Sequence, residues 1–254
     1  MIPIKTPAQI EKMRAAGDLA SRVLNEIADL VAPGVTTGEL DRRAGELIAE
    51  AGAKSAFFGY RKYSGQICIS INEEVVHGIG GPRKIAYGDI VSLDCGVNLD
   101  GWIGDTALTV PVGIVEPEVE RLLRVTEETL NSALEFAVAG RRLGDLCASI
   151  EENVIRHGYS VVREFVGHGV GRKLHEEPQV PNYGKRGSGP KLKPGMTLAI
   201  EPMVNMGRAE VRLLEDKWTV VTRDGLPSAH FEHTVLVTKA EPEVLTWRRK
   251  TLLK

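Results

Sequence analysis

The stretch that decides the fold is residues 90–110, Ile90-Val-Ser-Leu-Asp94-Cys-Gly-Val-Asn-Leu99-Asp100-Gly101-Trp-Ile-Gly-Asp105-Thr-Ala-Leu-Thr-Val110. Two apolar runs, 90–97 and 102–110, flank the turn pair Asp100-Gly101, and this pattern predicts a β-hairpin. Because strand side chains alternate between faces, any even-length loop near residues 99–101 puts Asp94 and Asp105 on one face. A two-residue loop at Leu99-Asp100 would place the two carboxylates directly opposite each other.

The paired acids of this hairpin point to a bound cation. Like charges on directly opposed strand residues destabilise a hairpin unless something compensates them. A solvated carboxylate is the usual fate of a lone strand aspartate, but aspartate is depleted in strands and here two share one face. A metal ion held by both Asp94 and Asp105 is the simplest compensation.

Two further acids and a histidine occupy similar places later in the chain. Glu201 closes the apolar run 197–200, and Glu232 opens the run 233–237. His168 stands between Gly167 and Gly169, which allow backbone or substrate to approach the imidazole closely. Each residue alone is better explained as a surface acid or a structural histidine, but together they favour a ligand set.

The chain also carries a weak internal repeat. Helical patterns are predicted over residues 7–30, 36–52, 117–139 and 145–157, and an extended segment over residues 66–71. The glycines and the Glu/Asp-Leu pairs around the second and fourth helices match at an offset of 106 residues, and the Gly88–Asp94 spacing recurs at Gly195–Glu201. Coincidence among helix-stopping glycines is the alternative, but the shared register favours a duplicated α/β unit about a pseudo-twofold axis.

Composition limits the class of protein. The chain has 254 residues and a formal net charge of −2, which gives no electrostatic reason to expect nucleic acid or an anionic membrane as a partner. Three cysteines without a C-x-x-C pair suit a reducing compartment. The first residues are charged and unlike a signal peptide, and no apolar run is long enough to cross a membrane. We therefore expect a cytoplasmic protein.

Taken together, these residues resemble the type 1 methionine aminopeptidases of the pita-bread metallopeptidase family. The resemblance covers nearly the whole chain, and its landmarks are residues 69–72, 76–79, 94, 104–106, 167–171, 175–178, 200–203 and 231–234. It implies an α+β pita-bread fold with two pseudo-twofold-related α/β halves around a central antiparallel sheet. The chain would be a single catalytic domain, 1–254, with halves of roughly 1–113 and 114–254.

The resemblance also implies a set of metal ligands. Asp94, Asp105, His168, Glu201 and Glu232 would bind two divalent metal ions, with Asp105 and Glu232 bridging both. Asp94 would complete one site, and His168 with Glu201 the other. Four carboxylates and one imidazole form an oxygen-rich set that suits Co, Mn or Fe as readily as Zn, so the sequence leaves the metal open.

Catalytic and substrate-binding roles follow from the same resemblance. Glu201 would carry a proton, His175 would stabilise the tetrahedral intermediate, and His77 would contact the peptide beyond the scissile bond. The substrate-binding residues would be Phe57, Tyr60, Tyr63, Cys68, His77, Leu174, His175 and Trp218. Phe57 and Leu174 depart from the residues usual in the family, and plain core packing is the alternative for the apolar members.

The resemblance predicts removal of the N-terminal methionine from nascent proteins and peptides whose second residue is small. The expected partners are nascent N-termini, including those at the ribosome, and the expected state is a monomer. A prolidase or Xaa-Pro aminopeptidase would share the five ligands but usually carries an extra N-terminal domain. A non-enzymatic binding module of this fold would have lost ligands, and none is lost here.

Overall fold

The computed structural model describes residues 1–247. Its helices are α1 (Pro7–Asp29), α2 (Thr37–Glu50), α3 (Pro117–Leu134) and α4 (Leu143–Arg156). Its strands are β1 (Lys54–Ser55), β2 (Cys68–Ile71), β3 (Glu74–Val76), β4 (Ile90–Leu99), β5 (Trp102–Pro111), β6 (Ser160–Val161), β7 (Gly167–Gly169), β8 (Glu176–Val180), β9 (Thr197–Ile200), β10 (Met203–Asn205), β11 (Val211–Leu213), β12 (Val220–Thr222), β13 (Ser228–His230), β14 (His233–Leu236) and β15 (Glu243–Val244). In this part of the chain, no helix combines the length and the apolar character needed to span a bilayer.

The helix starts follow from local sequence. Thr6 caps α1 by accepting from the backbone N–H of Gln9, and the Gln9 side chain accepts from the backbone N–H of Thr6. Thr36 and Glu39 form the same reciprocal pair at the start of α2. These two capping boxes satisfy backbone donors that the first helical turn leaves without partners, so the predicted starts are confirmed.

Helix α4 begins at Leu143, two residues before the predicted start at Asp145. Two other predicted boundaries are wrong because of a contact distant in sequence. Helix α3 ends at Leu134 instead of 139, since the following segment pairs with Thr238, whose carbonyl accepts from the N–H of Ala139 at 3.0 Å. Strand β2 begins at Cys68 instead of 66, because the N–H groups of Gln66 and Ile67 donate to the Asp41 carboxylate at 2.7 and 3.0 Å.

The predicted hairpin is confirmed as β4 and β5, but its turn lies one residue later than the Leu99-Asp100 alternative. Leu99 pairs with Trp102, and the loop is Asp100-Gly101, with φ of 51° and 78°. Positive φ at both loop positions is the backbone that a two-residue hairpin favours, and Asp-Gly adopts it readily. Asp94 and Asp105 share a face as expected, but Asp94 pairs with Ala107. The two acids are therefore diagonal neighbours, not directly opposed.

The repeat is visible in the backbone. Helices α2 and α4 begin at residues 37 and 143 and end at residues 50 and 156, an offset of 106 at both ends. The N–H of Gly38 donates to the carbonyl of Gly81, and the N–H of Gly144 donates to that of Ser188 in the same way. Strands β4 and β9 begin 107 residues apart. The two halves are thus built on one plan, as the sequence predicted.

The two halves meet where β5 lies beside the chain that leads into β14. Strand β4 pairs with β1, β2 and β5, and the second sheet runs in the order β15-β14-β9-β7-β8. Between them, Ala107 and Glu232 form an antiparallel bridge, and the Thr234 hydroxyl donates to the Asp105 carbonyl at 2.7 Å. Helix α1 packs on β5 where a Cβ on Gly104 would lie 2.4 Å from the Ala16 carbonyl oxygen, so this close contact depends on glycine.

Candidate metal centre and substrate pocket

One cavity of about 230 Å³ brings together all the residues that the sequence predicted as site residues. The acids and histidines line one part of it: Asp94, Asp105, His168, Glu201, Glu232, His77 and His175. The remaining predicted residues line the rest: Phe57, Tyr60, Tyr63, Cys68, Leu174 and Trp218. The cavity is smaller than the roughly 300–1,000 Å³ of typical small-molecule pockets, so it suits one side chain with a backbone terminus.

The acidic part of the cavity lies at the junction of the two halves. Asp94 and Asp105 come from β4 and β5, whereas Glu201 follows β9 and Glu232 precedes β14. Asp105 and Glu232 are 3% and 2% exposed, so both carboxylates are removed from bulk water. Strand register explains the arrangement, because Asp105 and Glu232 lie on adjoining chains tied together by Ala107 and Thr234.

The geometry of this cluster suits a metal ion. Asp105, His168 and Glu232 each offer one ligand atom, and the three atoms lie within 4.8 Å of one another. The Nδ1 of His168 lies 3.0 Å from the Gly169 carbonyl and donates to it. The Nε2 is then the acceptor nitrogen, and it lies 3.8 Å from Asp105 Oδ2 and 3.5 Å from Glu201 Oε1. A fixed tautomer with Nε2 facing carboxylates is the usual form of a histidine ligand.

The electrostatics of the cluster also fit a cation. Burial raises the pKa of Asp105 to about 7. Burial and then the charge of Asp105 hold the pKa of Asp94 well above its usual value, and burial followed by Asp105 and Asp94 does the same to the pKa of Glu201. Among residues 1–247, buried Oδ1 atoms of Asp94 and Asp105 find no hydrogen-bond donor. A divalent cation would relieve this mutual repulsion and satisfy the orphaned oxygens.

The imidazoles of His168 and His175 are neutral near pH 7, because the pKa of each is lowered. Burial, followed by the nearby His175, lowers the pKa of His168 to about 3. Burial and then the charge of Arg61 lower the pKa of His175, whose ring centroid lies 4.3 Å from that of His168. The Tyr60 hydroxyl is 2.8 Å from His175 Nδ1. If Tyr60 donates this bond, the proton of His175 resides on Nε2, where it can be donated to a substrate.

His77 holds a strained backbone position at the side of the cavity. Its φ is 64°, a left-handed conformation that is uncommon for residues other than glycine. Its ring packs edge-on against Phe165 and Trp218, with centroids at 5.3 and 6.1 Å. Burial lowers the pKa of His77 to about 4. Strain of this kind persists only where the surroundings enforce it, and it clusters at functional sites.

The apolar part of the cavity is shaped by packing that the sequence did not show. A Cβ on Gly96 would lie 2.4 Å from a Phe57 ring carbon, so the glycine paired with Asp105 makes room for this ring. The Tyr63 ring packs edge-on against Trp218 at 5.0 Å, and its hydroxyl donates to the Gly78 carbonyl at 2.8 Å. The aromatic walls are therefore held in place from behind.

Several lining residues were not predicted. They are Arg61, Val76, Phe165, Val166, Met203 and His230. Strand parity gave a signal for His230, because it precedes Glu232 by two residues, and its Nε2 lies 3.5 Å from Glu201 Oε2. Met203 follows Glu201 by two residues. Nothing local in the sequence marks Phe165, which reaches the cavity from a loop, or Arg61, which lies in the short 3-10 helix Tyr60–Lys62.

A buried ion pair supports the loop that carries Leu174 and His175. Lys5 Nζ lies 2.6 Å from Glu176 Oε2, and the two side chains are 4% and 9% exposed. The other oxygen of Glu176 accepts from the backbone N–H groups of Arg172 and Lys173 at 2.9 and 3.3 Å. A Cβ on Gly171 would lie 2.7 Å from this carboxylate. The loop is thus fixed from below through one glutamate.

Comparison with known proteins identifies the family of the chain. A sequence model described as metallopeptidase family M24 matches residues 11–239. The chain is 48% identical to methionine aminopeptidase 1 of Bacillus subtilis (strain 168), over 97% of this chain and 99% of that protein. It is 50% identical to methionine aminopeptidase of Escherichia coli (strain K12), over 98% and 95% of the two chains. The crystal structure of methionine aminopeptidase from Thermotoga maritima superposes with a TM-score of 0.95 at 47% identity, covering 97% of this chain and 99% of that one.

Proposed function

The chain belongs to metallopeptidase family M24, within the methionine aminopeptidases, and from that premise we propose how its residues remove an N-terminal methionine. It is a hydrolase that depends on divalent metal. The observation that carries the proposal is the buried cluster of Asp105, His168 and Glu232 beside Asp94 and Glu201, in a cavity whose other wall is apolar and aromatic.

Two ions are proposed for this cluster. Asp105 and Glu232 would contact both, Asp94 would complete the first site, and His168 with Glu201 would complete the second. The support is the position of Asp105 and Glu232 at the junction between the halves, with Asp94 and Glu201 at matching strand positions on either side. When bound, divalent ions of this kind polarise the scissile carbonyl and lower the pKa of the attacking water.

Glu201 is proposed as the proton carrier. Its two oxygens face different imidazoles, with 3.5 Å from Oε1 to His168 Nε2 and 3.5 Å from Oε2 to His230 Nε2. A carboxylate within hydrogen-bond reach of the attacking water takes its proton and passes it to the leaving amine. Burial, followed by the charges of Asp105 and Asp94, raises the pKa of Glu201, and this favours a group that accepts a proton and releases it again.

His175 and His77 are proposed to act on the peptide itself. His175 would donate from Nε2 to the negative charge that develops on the scissile carbonyl oxygen, and Tyr60 holds the ring for this task. His77 would contact the peptide beyond the scissile bond. The rings of Phe165 and Trp218 crowd His77, which supports a preference for small second residues because little space remains beside them.

The methionine side chain is proposed to enter the apolar part of the cavity. Phe57, Tyr63, Cys68, Leu174 and Trp218 line it, and Phe57, Tyr63 and Leu174 are at most 8% exposed. Burial raises the pKa of the Cys68 thiol well above its usual range, so this cysteine stays neutral and behaves as a small apolar residue.

The setting of the reaction is proposed in the same way. The chain would act as a single catalytic domain and as a monomer, on nascent chains in the cytoplasm, including chains that emerge from the ribosome. The main hydrophobic core supports a single unit, since it includes Leu24 and Leu93 from the first half and Leu146 and Val235 from the second.

Metal reconstitution tests the proposal. Protein stripped with EDTA is reloaded with Mn, Fe(II), Co or Zn and assayed on Met-Ala-Ser, Met-Leu-Ser and Ala-Pro-Ser. We expect metal-dependent release of methionine from Met-Ala-Ser, much slower release from Met-Leu-Ser, and little cleavage of Ala-Pro-Ser. Faster cleavage of Ala-Pro-Ser would indicate an Xaa-Pro aminopeptidase, and no methionine release with any metal would contradict the proposal.

A further inference from the structure

The cavity that contains the acidic cluster adjoins a second, more exposed groove. This groove has a volume of about 550 Å³ and shares Arg61, Val166, His168 and His175 with the first cavity. Beyond these shared residues it is lined by Lys173, Glu176, Glu177 and Gln179, among others. A peptide whose first residue occupies the enclosed cavity has this groove as the continuation of its path.

The charged residues of the groove do not balance. Glu176 is neutralised by Lys5 at 2.6 Å and by two backbone N–H groups. Glu177 is the remaining acid, and two cationic side chains, Arg61 and Lys173, line the groove with it, all three of them exposed. Met1, which carries the N-terminal amine, also lines the groove. Among the described residues 1–247, neither cationic side chain forms an ion pair with a carboxylate. The groove therefore carries a net positive charge.

Arg61 is held at the junction of the two cavities by an unusual backbone. Gly59, Arg61 and Lys62 have φ values of 82°, 46° and 74°. The Arg61 guanidinium carbon lies 5.5 Å from the centre of the Tyr60 ring, within the range of a cation–π contact. Tyr60 itself is bonded to His175. The strained turn thus places a cation beside the proposed catalytic histidine while leaving its charge unpaired.

From these observations we infer that the groove is a binding subsite for a carboxylate side chain at the third residue of the peptide, with Arg61 as its main determinant and Lys173 as a second contributor. The inference rests on the proposed function, in which the methionine side chain fills the first cavity and the small second residue lies at its mouth. The third residue is then the first to lie beside Arg61, which lines both the cavity and the groove. An arginine guanidinium is suited to a carboxylate because its planar donors can bind both oxygens.

The test uses the metal-loaded full chain and three peptides with amidated C-termini: Met-Ala-Asp-Gly, Met-Ala-Asn-Gly and Met-Ala-Lys-Gly. We expect kcat/KM in the order Asp, Asn, Lys, with an Asp-over-Asn preference of about two- to five-fold at low ionic strength, the size typical of exposed charge pairs. The preference should shrink in about 0.5 M salt, because added salt screens exposed charges.

Variants identify the determinant. Arg61→Gln should bring the Asp-over-Asn ratio close to one, Lys173→Gln should reduce it less, and Arg61→Glu should shift the preference toward the Lys peptide. Arg172→Gln is the matched control, since Arg172 is an exposed arginine in the same loop as Lys173 that packs over Trp102 at 4.6 Å and lines neither cavity. Its ratio should equal that of the unmodified chain.

The outcomes separate the subsite from the activity on which it depends. Equal cleavage of all three peptides, or a preference that Arg61→Gln and Arg61→Glu leave unchanged, would overturn the subsite while the methionine aminopeptidase activity stands. Cleavage of none of the peptides with any metal would overturn the proposed function and the subsite together.

Discussion

Asp94 and Glu201 occupy matching positions in the two halves, each four residues after the start of its strand, yet their surroundings differ. Asp94 lies on β4 among acids and the Cys68 thiol, and its Oδ1 has no donor among residues 1–247. Glu201 follows β9 and faces His168 and His230 with its two oxygens. The two halves therefore supply carboxylates at matching positions, and the different side chains around them support the proposal that Asp94 acts as a ligand alone while Glu201 also exchanges protons.

The connections that follow the two acids differ as well. Strands β4 and β5 are joined by the two residues Asp100-Gly101, whereas residues 201–232 separate β9 from β14. The longer connection contains β10 to β13 and delivers Met203, Trp218 and His230 to the cavity. The longer connection of the second half thus supplies lining residues that the two-residue turn of the first half cannot supply.

The largest expected effect distinguishes the roles of the two matching acids, Asp94 and Glu201. Glu201→Gln should lower kcat at saturating metal by about 10²- to 10⁴-fold, because it removes a general base as well as a ligand charge. Asp94→Asn should act mainly through metal affinity, so a higher metal concentration should recover much of its activity. Steady-state assays over a range of Mn concentrations measure both. Equal, metal-independent losses in the two variants would contradict the division of roles.

The next effect concerns the ion pair beneath the loop of His175, which joins Lys5 of the first half to Glu176 of the second. Lys5→Met leaves the Glu176 carboxylate buried without its cation, and we expect the free energy of unfolding to fall by about 3–5 kcal/mol. Urea denaturation measures it. The control is Arg22→Met, which removes an exposed pair with Asp18 and should cost no more than about 1 kcal/mol. Lys5→Met combined with Glu176→Gln should recover part of the loss, and similar values for Lys5→Met and Arg22→Met would contradict the prediction.

The pH dependence of the stability of the metal-free protein tests whether a charged Asp105 is unfavourable beside Asp94 and Glu201. Burial raises the pKa of Asp105 to about 7, so between about pH 4 and pH 7 the folded state binds more protons than the unfolded state. This acid therefore costs stability progressively as the pH rises through that window. The lowered pKa values of His77, His168 and His175 act in the opposite direction, so the comparison must be between variants.

The measurement is the difference in unfolding free energy between Asp105→Asn and the unmodified chain, both in EDTA. We expect this difference to shift in favour of Asp105→Asn as the pH rises from 4 to 7. A difference that is independent of pH, or that shifts toward the unmodified chain, would contradict the raised pKa of the buried Asp105 carboxyl.

The smallest expected effect tests a polar contact between the halves, from Tyr60 of the first to His175 of the second. Tyr60→Phe removes the hydroxyl that lies 2.8 Å from His175 Nδ1, and a single hydrogen bond of this kind is worth about 0.5–1.5 kcal/mol. We expect kcat to fall by roughly three- to ten-fold with little change in KM. An unchanged kcat would show that His175 is positioned without Tyr60.

Much of this fold could be predicted from the sequence where local rules act. Capping residues predicted the starts of α1 and α2, strand parity put Asp94 and Asp105 on one face, and the offset of 106 residues predicted the second half from the first. The one error in the hairpin, its register, arose because two positions for the turn satisfy the same parity. The turn forms at Asp100-Gly101 because both residues tolerate positive φ.

What could not be predicted depends on contacts distant in sequence. The early end of α3 is set by Thr238, and the late start of β2 is set by Asp41. The position of Phe57 depends on Gly96, and the position of Arg61 on a strained turn. Contacts of this kind leave no periodic signal in the sequence. The residues of the acidic cluster were therefore predictable from strand parity and motifs, while the shape of the pocket and the second groove were not.

The stoichiometry of metal binding tests the central claim most directly. Equilibrium dialysis of the metal-free chain against Mn²⁺ should give two ions per chain, with the second lost or strongly weakened in both Asp94→Asn and Glu201→Gln. A stoichiometry below two in the unmodified chain, or two ions bound equally tightly in both variants, would contradict the account of two unequal sites built by matching strands.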